Sequence, residues 1–160
     1  MTTGGDIQAA TRPATPDPET RRLEVLVGRW SSTGRTVPGP AEPAITITGT
    51  DTYEWLAGGF FLVHRVDVRM GGEQVEVLEL IGPHDPADHS YPMRSFDNQG
   101  NFTTMTARRR DDGAWTFTGP SERATLTIGE DGATMTARWE RSDDGSTWVH
   151  WMDMQFAKMS

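Results

Sequence analysis

The chain has 160 residues, with 15 Lys+Arg against 23 Asp+Glu for a formal charge of -8, and a hydrophobic share of 35%. That length fits one domain, and the acidic balance excludes a surface built to neutralise phosphates, so neither nucleic acid nor an anionic membrane is an expected partner. With no Cys the chain has no disulfide, thiolate metal site or Cys nucleophile, and the expected location is cytoplasmic.

Residues 1–17 are rich in Thr, Pro, Gly and Ala without periodicity, which predicts a disordered arm lacking the apolar run of a secretory signal. Residues 18–160 are left as a single folded domain. Pro16-Asp17-Pro18 offers an N-cap Asp with Pro at the first helical position, and Leu23, Leu26 and Val27 follow on one side at three-to-four spacing. This predicts a short helix over about 17–27 that Gly28 stops.

From Trp30 onward the period becomes two. The chain holds 21 Thr, many alternating with apolar residues, and β-branched side chains suit a pleated, half-buried strand. In Ile45–Trp55 every second residue is Thr or Glu, giving one strand with two distinct faces. The pattern predicts strands over 28–37, 45–55, 59–70, 73–82, 90–97, 101–110, 114–119, 122–129, 133–142 and 147–158. Gly58-Gly59, Gly71-Gly72, Asn98-Gln99-Gly100, Asp111-Asp112-Gly113, Glu130-Asp131-Gly132 and Asp143-Asp144-Gly145 supply the positive-φ residues of tight hairpins, so neighbours in sequence are antiparallel neighbours in space. Only Val37–Pro43 and Pro83–His89 read as longer loops. A meander of this length curls, and closing it removes both edges. The fold expected is all-β: a single antiparallel up-and-down barrel of about ten strands with a short N-terminal helix, Trp30 sealing one end. Apolar runs such as Phe60-Phe61-Leu62-Val63 fall far short of the ~20 residues that cross a bilayer.

Leu23-Glu24-Val25-Leu26-Val27-Gly28-Arg29-Trp30 resembles the Leu-x-x-Leu-Val-Gly-x-Trp opening of a family of small bacterial lipocalin-like (calycin) proteins of unknown function. The resemblance runs on through Gly49-Thr50, Leu56-Ala57-Gly58-Gly59 and Ser142-Asp143-Asp144-Gly145-Ser146-Thr147-Trp148, about residues 21 to 158. It implies a barrel with an interior cavity and carries over no catalytic residues. Nitrobindins are similar barrels at greater distance. Their haem iron is held by a His near the end of the final strand, and His150 lies in the final strand here.

Alternation assigns the inward faces. Phe60, Leu62, His64, Val66, Val68 and Met70 share one face of the third strand, with Arg65, Asp67 and Arg69 on the other. In the last strand Trp148, His150, Met152, Met154 and Phe156 share a face opposite Asp153 and Gln155. Both His64 and His150 are therefore expected to point inward, where an imidazole can orient a ligand, move a proton, ligate iron or be satisfied as a core residue. Glu79, Tyr53 and Arg94 are the candidate partners for these rings. Six Trp, six Phe and eight Met provide a polarisable lining of the kind small-molecule cavities use, with Trp55, Trp115 and Trp139 on separate strands. The candidate ligand-binding set is Trp55, His64, Met93, Arg94, Trp115, Trp139, His150 and Met152.

Other clusters point elsewhere. Glu76 and Glu79 fall on opposite faces of one strand. Arg108-Arg109-Arg110 runs into Asp111-Asp112 and reads as a neutralised rim. His84-Asp85-Pro86-Ala87-Asp88-His89 has nitrogen and oxygen donors without regular spacing and reads as a solvated turn, so no metal site is expected. No Gly-x-Ser-x-Gly, phosphate loop or His-Glu-x-x-His occurs. The expected function is binding of a small apolar or aromatic molecule in the barrel, with homodimerisation left open. The rival readings are a cavity isomerase or cyclase using His64 or His150 as acid/base, and a nitrobindin-like haem protein ligating through His150. No cofactor other than haem is a candidate.

Overall fold

The computed structural model describes residues 15–159. Most of the arm read over 1–17 lies outside the described residues. Ten strands follow in chain order: β1 (Gly28–Thr36), β2 (Thr46–Trp55), β3 (Leu62–Met70), β4 (Glu73–Ile81), β5 (Tyr91–Asp97), β6 (Phe102–Arg109), β7 (Trp115–Thr118), β8 (Glu122–Ile128), β9 (Thr134–Arg141) and β10 (Val149–Lys158). Each pairs antiparallel with its sequence neighbours, and β10 returns to pair with β1 from Trp30↔Lys158 to Thr36↔Met152, closing the barrel. The alternation in the sequence is the cause. In β2, Ile47, Asp51 and Tyr53 are buried while Thr46, Thr48 and Glu54 face solvent.

The helix at Pro18–Leu26 is a 3-10 helix. Its buried residues are Thr20, Leu23 and Leu26, three apart, and three residues per turn stacks them on a single line. The Asp17 side chain caps it by accepting from the Glu19 amide at 2.9 Å. This helix plugs one end of the barrel and is tied to it at separate points. The fully buried Trp30 donates its indole N–H to the Leu26 carbonyl at 2.9 Å. Tyr91 on β5 donates to the Glu19 carbonyl at 2.7 Å, and Trp55 on β2 donates to Glu24 at 2.9 Å. No helix among the described residues is long and apolar enough to cross a membrane.

Glycines let the wall bend. Gly34 on β1 lies opposite Met154 of β10 and Ile47 of β2, and a Cβ there would collide with the Asp153 carbonyl and the Met154 sulfur. A side chain at Gly34 would hold the closing strands apart. Gly34→Ala is expected to cost ~1–3 kcal/mol, the range for overpacking an interior. Gly39→Ala, in a loop where nothing lies within 4 Å of a new Cβ, should stay within ~0.5 kcal/mol. Urea unfolding of the two variants against the parent checks both.

Candidate functional site

Three adjacent strands bring one row of side chains into the interior. The register sets Tyr53 of β2 opposite His64 of β3, and His64 opposite Glu79 of β4. Asp51 is two residues from Tyr53 on the same inward face and reaches His64 diagonally. The imidazole is held at both nitrogens: Nδ1 is 2.9 Å from Glu79 Oε1 and Nε2 is 2.7 Å from Asp51 Oδ2. The other Asp51 oxygen accepts from the Ser32 hydroxyl at 2.5 Å. The Tyr53 ring lies on the imidazole, centroids 3.9 Å apart and nearly parallel at 7°. All four partners, Ser32, Asp51, Tyr53 and Glu79, are buried.

Burial by itself would lower the pKa of the His64 ring. Its hydrogen bonds to Asp51 and Glu79, with the charge of both, outweigh that and push it up from 6.5 to about 9. The ring is therefore an imidazolium at neutral pH, donating from both nitrogens. Burial, reinforced by Asp51 and Glu79, also holds the Tyr53 phenol well above its ordinary value, so it stays protonated.

Around and above this polar floor is a cavity of about 320 Å³. Its walls are apolar: Ile47, Val66 and Val77 on one side, Met105, Phe117 and Leu126 on another. Asp97, Asn101 and Glu122 line it towards the end away from the helix. Burial raises the Glu122 carboxyl, and the smaller pull of Arg141 opposes this.

Of the residues expected from sequence, His64, Met93, Trp139 and Met152 line this cavity. The others do not. Trp55 stands at the helix plug, bonded to Glu24 and under the Arg21 guanidinium at 5.6 Å. Trp115 is fully buried in the core near the plug, edge-on to Tyr91 at 5.1 Å. Arg94 is exposed on the outer face of β5, because Met93 takes the inward position beside it.

His150 is also a correction. The register between β10 and β9 slips between His150 and Met152, and one extra residue in a strand reverses the facing of everything before it. Met152, Met154 and Phe156 keep the inward face. His150 instead meets the outward Asp153 at 2.9 Å, and Trp151 turns to Trp139, centroids 6.4 Å apart.

Haem ligation needs an imidazole nitrogen free in the cavity. His150 is outside it and His64 has both nitrogens engaged, so these residues do not fit haem. The same saturation leaves His64 no lone pair with which to accept a substrate proton. In the 83–90 loop, His84 is buried against Tyr91, centroids 5.0 Å apart, rather than solvated. No group of three or more potential metal donors converges among the described residues. Arg108 and Arg110 pair with Asp88 and Asp112, a neutralised rim as expected.

Asp51 and Ser32 were not among the expected site residues. The signal for Asp51 was present: Thr at 46, 48, 50 and 52 faces outward, which leaves an acid at 51 on the apolar face.

The sequence pattern of a family described as "Protein of unknown function (DUF1579)" matches residues 15–146. The chain belongs to the DUF1579 family. Among curated proteins, none matches this DUF1579 chain. Its fold is similar to the crystal structure of Rv2717c from M. tuberculosis, with a TM-score of 0.70 at 11% identity over 91% of this chain and 99% of that one. A de novo fluorescence-activating β-barrel aligns at a TM-score of 0.47 and 15% identity, covering 86% of this chain and 96% of the design. The structure of EF1p2_mFAP2b bound to DFHBI aligns at a TM-score of 0.46 and 9% identity, covering 88% of this chain and 98% of that one. At these identities the likeness to Rv2717c is one of fold alone.

The imidazolium at His64 stabilises the folded state because its pKa is raised above the unfolded value. That contribution is whole below about 6.5 and is lost as pH rises through about 9. The stability gap between the parent and His64→Gln should therefore narrow by an amount on the order of 3 kcal/mol from pH 6 to pH 10. Urea unfolding at both pH values reads this. A gap that is constant or widens would show that the ring is not held protonated.

Proposed function

We propose that this DUF1579 protein is a lipocalin-like binding protein whose barrel interior holds a small molecule with an apolar or aromatic body. The observation that carries the reading is the cavity of about 320 Å³, where a barrel of this width could have been filled by side chains. Pockets for small molecules begin at roughly this volume and combine apolar walls with a few fixed polar groups. Here the walls are mainly Val, Ile, Met and Phe, with one set of polar groups on the floor and Asp97, Asn101 and Glu122 at the far end. A cytoplasmic location goes with this reading.

The test uses N-phenyl-1-naphthylamine, a neutral hydrophobic fluorophore. Its emission should rise on binding while tryptophan emission falls, and Trp139→Phe should remove much of that transfer, since Trp139 is the tryptophan that lines the cavity. Val66→Trp, which fills the interior from β3, should weaken binding by about tenfold or more while the far-UV β signature is retained. His150→Ala should leave binding unchanged, because that ring is on the outer face. Probe binding that survives Val66→Trp in the folded protein would place the probe elsewhere and overturn the reading.

A further inference from the structure

We propose that the cavity selects a ligand whose apolar body carries a protonated amine, seated on the floor against Glu79. This rests on the binding reading above and adds the charge of the ligand. The cavity lining contains four carboxyl side chains, Asp51, Glu79, Asp97 and Glu122, against one imidazole, and neither lysine nor arginine. On the floor, His64 neutralises one of its two carboxylates and leaves one negative charge in excess.

The two floor carboxyls differ in how their oxygens are engaged. Both oxygens of Asp51 are taken, one by Ser32 and one by His64. Glu79 gives only Oε1 to His64. Its Oε2 receives no donor among the described residues, although Glu79 is only 8% exposed. This oxygen is open to the cavity rather than sealed in the protein, so a ligand can reach it, and a charge-assisted N–H bond is the strongest contact it can make there. Tyr53 adds a polar group beside it, and as a protonated phenol it does not neutralise the excess charge.

The opposite ligand class fails on the same geometry. A fatty acid or aromatic carboxylate would set a third carboxylate beside Asp51 and Glu79, with His64 already shared between them. Farther out, Asp97 and Glu122 face anything entering from the far end, and the chain carries a net charge of -8. Both favour the approach of cations over anions.

Three probes of one shape separate the outcomes: 1-naphthylmethylamine, 1-naphthylmethanol and 1-naphthoate, titrated calorimetrically into the whole protein near neutral pH. The amine should bind about tenfold or more tightly than the alcohol, with the carboxylate weakest. Glu79→Gln should bring the amine to within about threefold of the alcohol. Where that variant fails to fold, NMR titration of the His64 ring in the parent gives a second readout. A bound ammonium beside the imidazolium should lower its pKa, and the alcohol should not. Equal binding of amine and alcohol would overturn the charge selection while leaving the carrier reading in place. Failure of all three probes would overturn both.

Discussion

The pairing of β1 with β10 is the constraint on which the rest depends. It converts a ten-strand meander with two open edges into a wall with an inside, and only then does alternation along each strand have a destination. Because the side-chain period is two, the same closure sorts residues by chemistry: most threonine and arginine outward, most strand valine and methionine inward. The closing ladder brings two backbones close at Gly34, where no side chain fits. Sequence pattern, closure and interior volume are thus one physical problem with one solution.

The interior is then divided unequally. The 3-10 helix fills the end at Trp30 with Thr20, Leu23 and Leu26, all fully or almost fully buried. Trp115 and Tyr91 pack nearby, so that end is dense core. Above the plug the lining residues do not meet across the barrel. The buried row of Tyr53, His64 and Glu79, with Asp51, marks the boundary between these regions. Such a row is not the most stabilising way to fill a barrel, since apolar side chains of similar volume often serve as well or better than buried ion pairs. Its members are nonetheless paired with care: both nitrogens of His64 and both oxygens of Asp51 have partners.

Much of this was legible in the sequence because it follows from short-range rules. Thr alternation in β2 and the glycine-bearing turns located every strand to within a few residues, and His64 fell inward as the alternation in β3 required. The helix was legible as an element but not as a 3-10 helix, since Leu23, Leu26 and Val27 fit a three-to-four spacing as well as a spacing of three. Arg94 was misplaced as a partner of the histidine rings because Met93 beside it takes the inward position, and a strand's neighbours cannot both face inward. Trp55 and Trp115 face the closed end, and no local pattern distinguishes a tryptophan that packs a plug from one that lines a space. The partnership of Ser32, Asp51 and His64 depends on register across three strands, which a single strand's periodicity does not contain.

The register slip in β10 shows how one backbone irregularity decides the chemistry of the interior. With unbroken alternation from Met152 backwards, His150 would enter the cavity and Trp151 would face out. The carboxyls inside would then be shared between two imidazoles. A second ring at that level of β10, beside the Arg141 that pairs with Glu122, would add a nitrogen open to a metal or a proton at the far end. The slip exchanges the two residues: Trp151 turns towards Trp139, and His150 goes to Asp153 on the outside. The interior keeps a single imidazole already committed on both sides, and hence an excess of carboxyl groups over cations. What the cavity can recognise is therefore set as much by the extra residue at Trp151 as by the acids that line it.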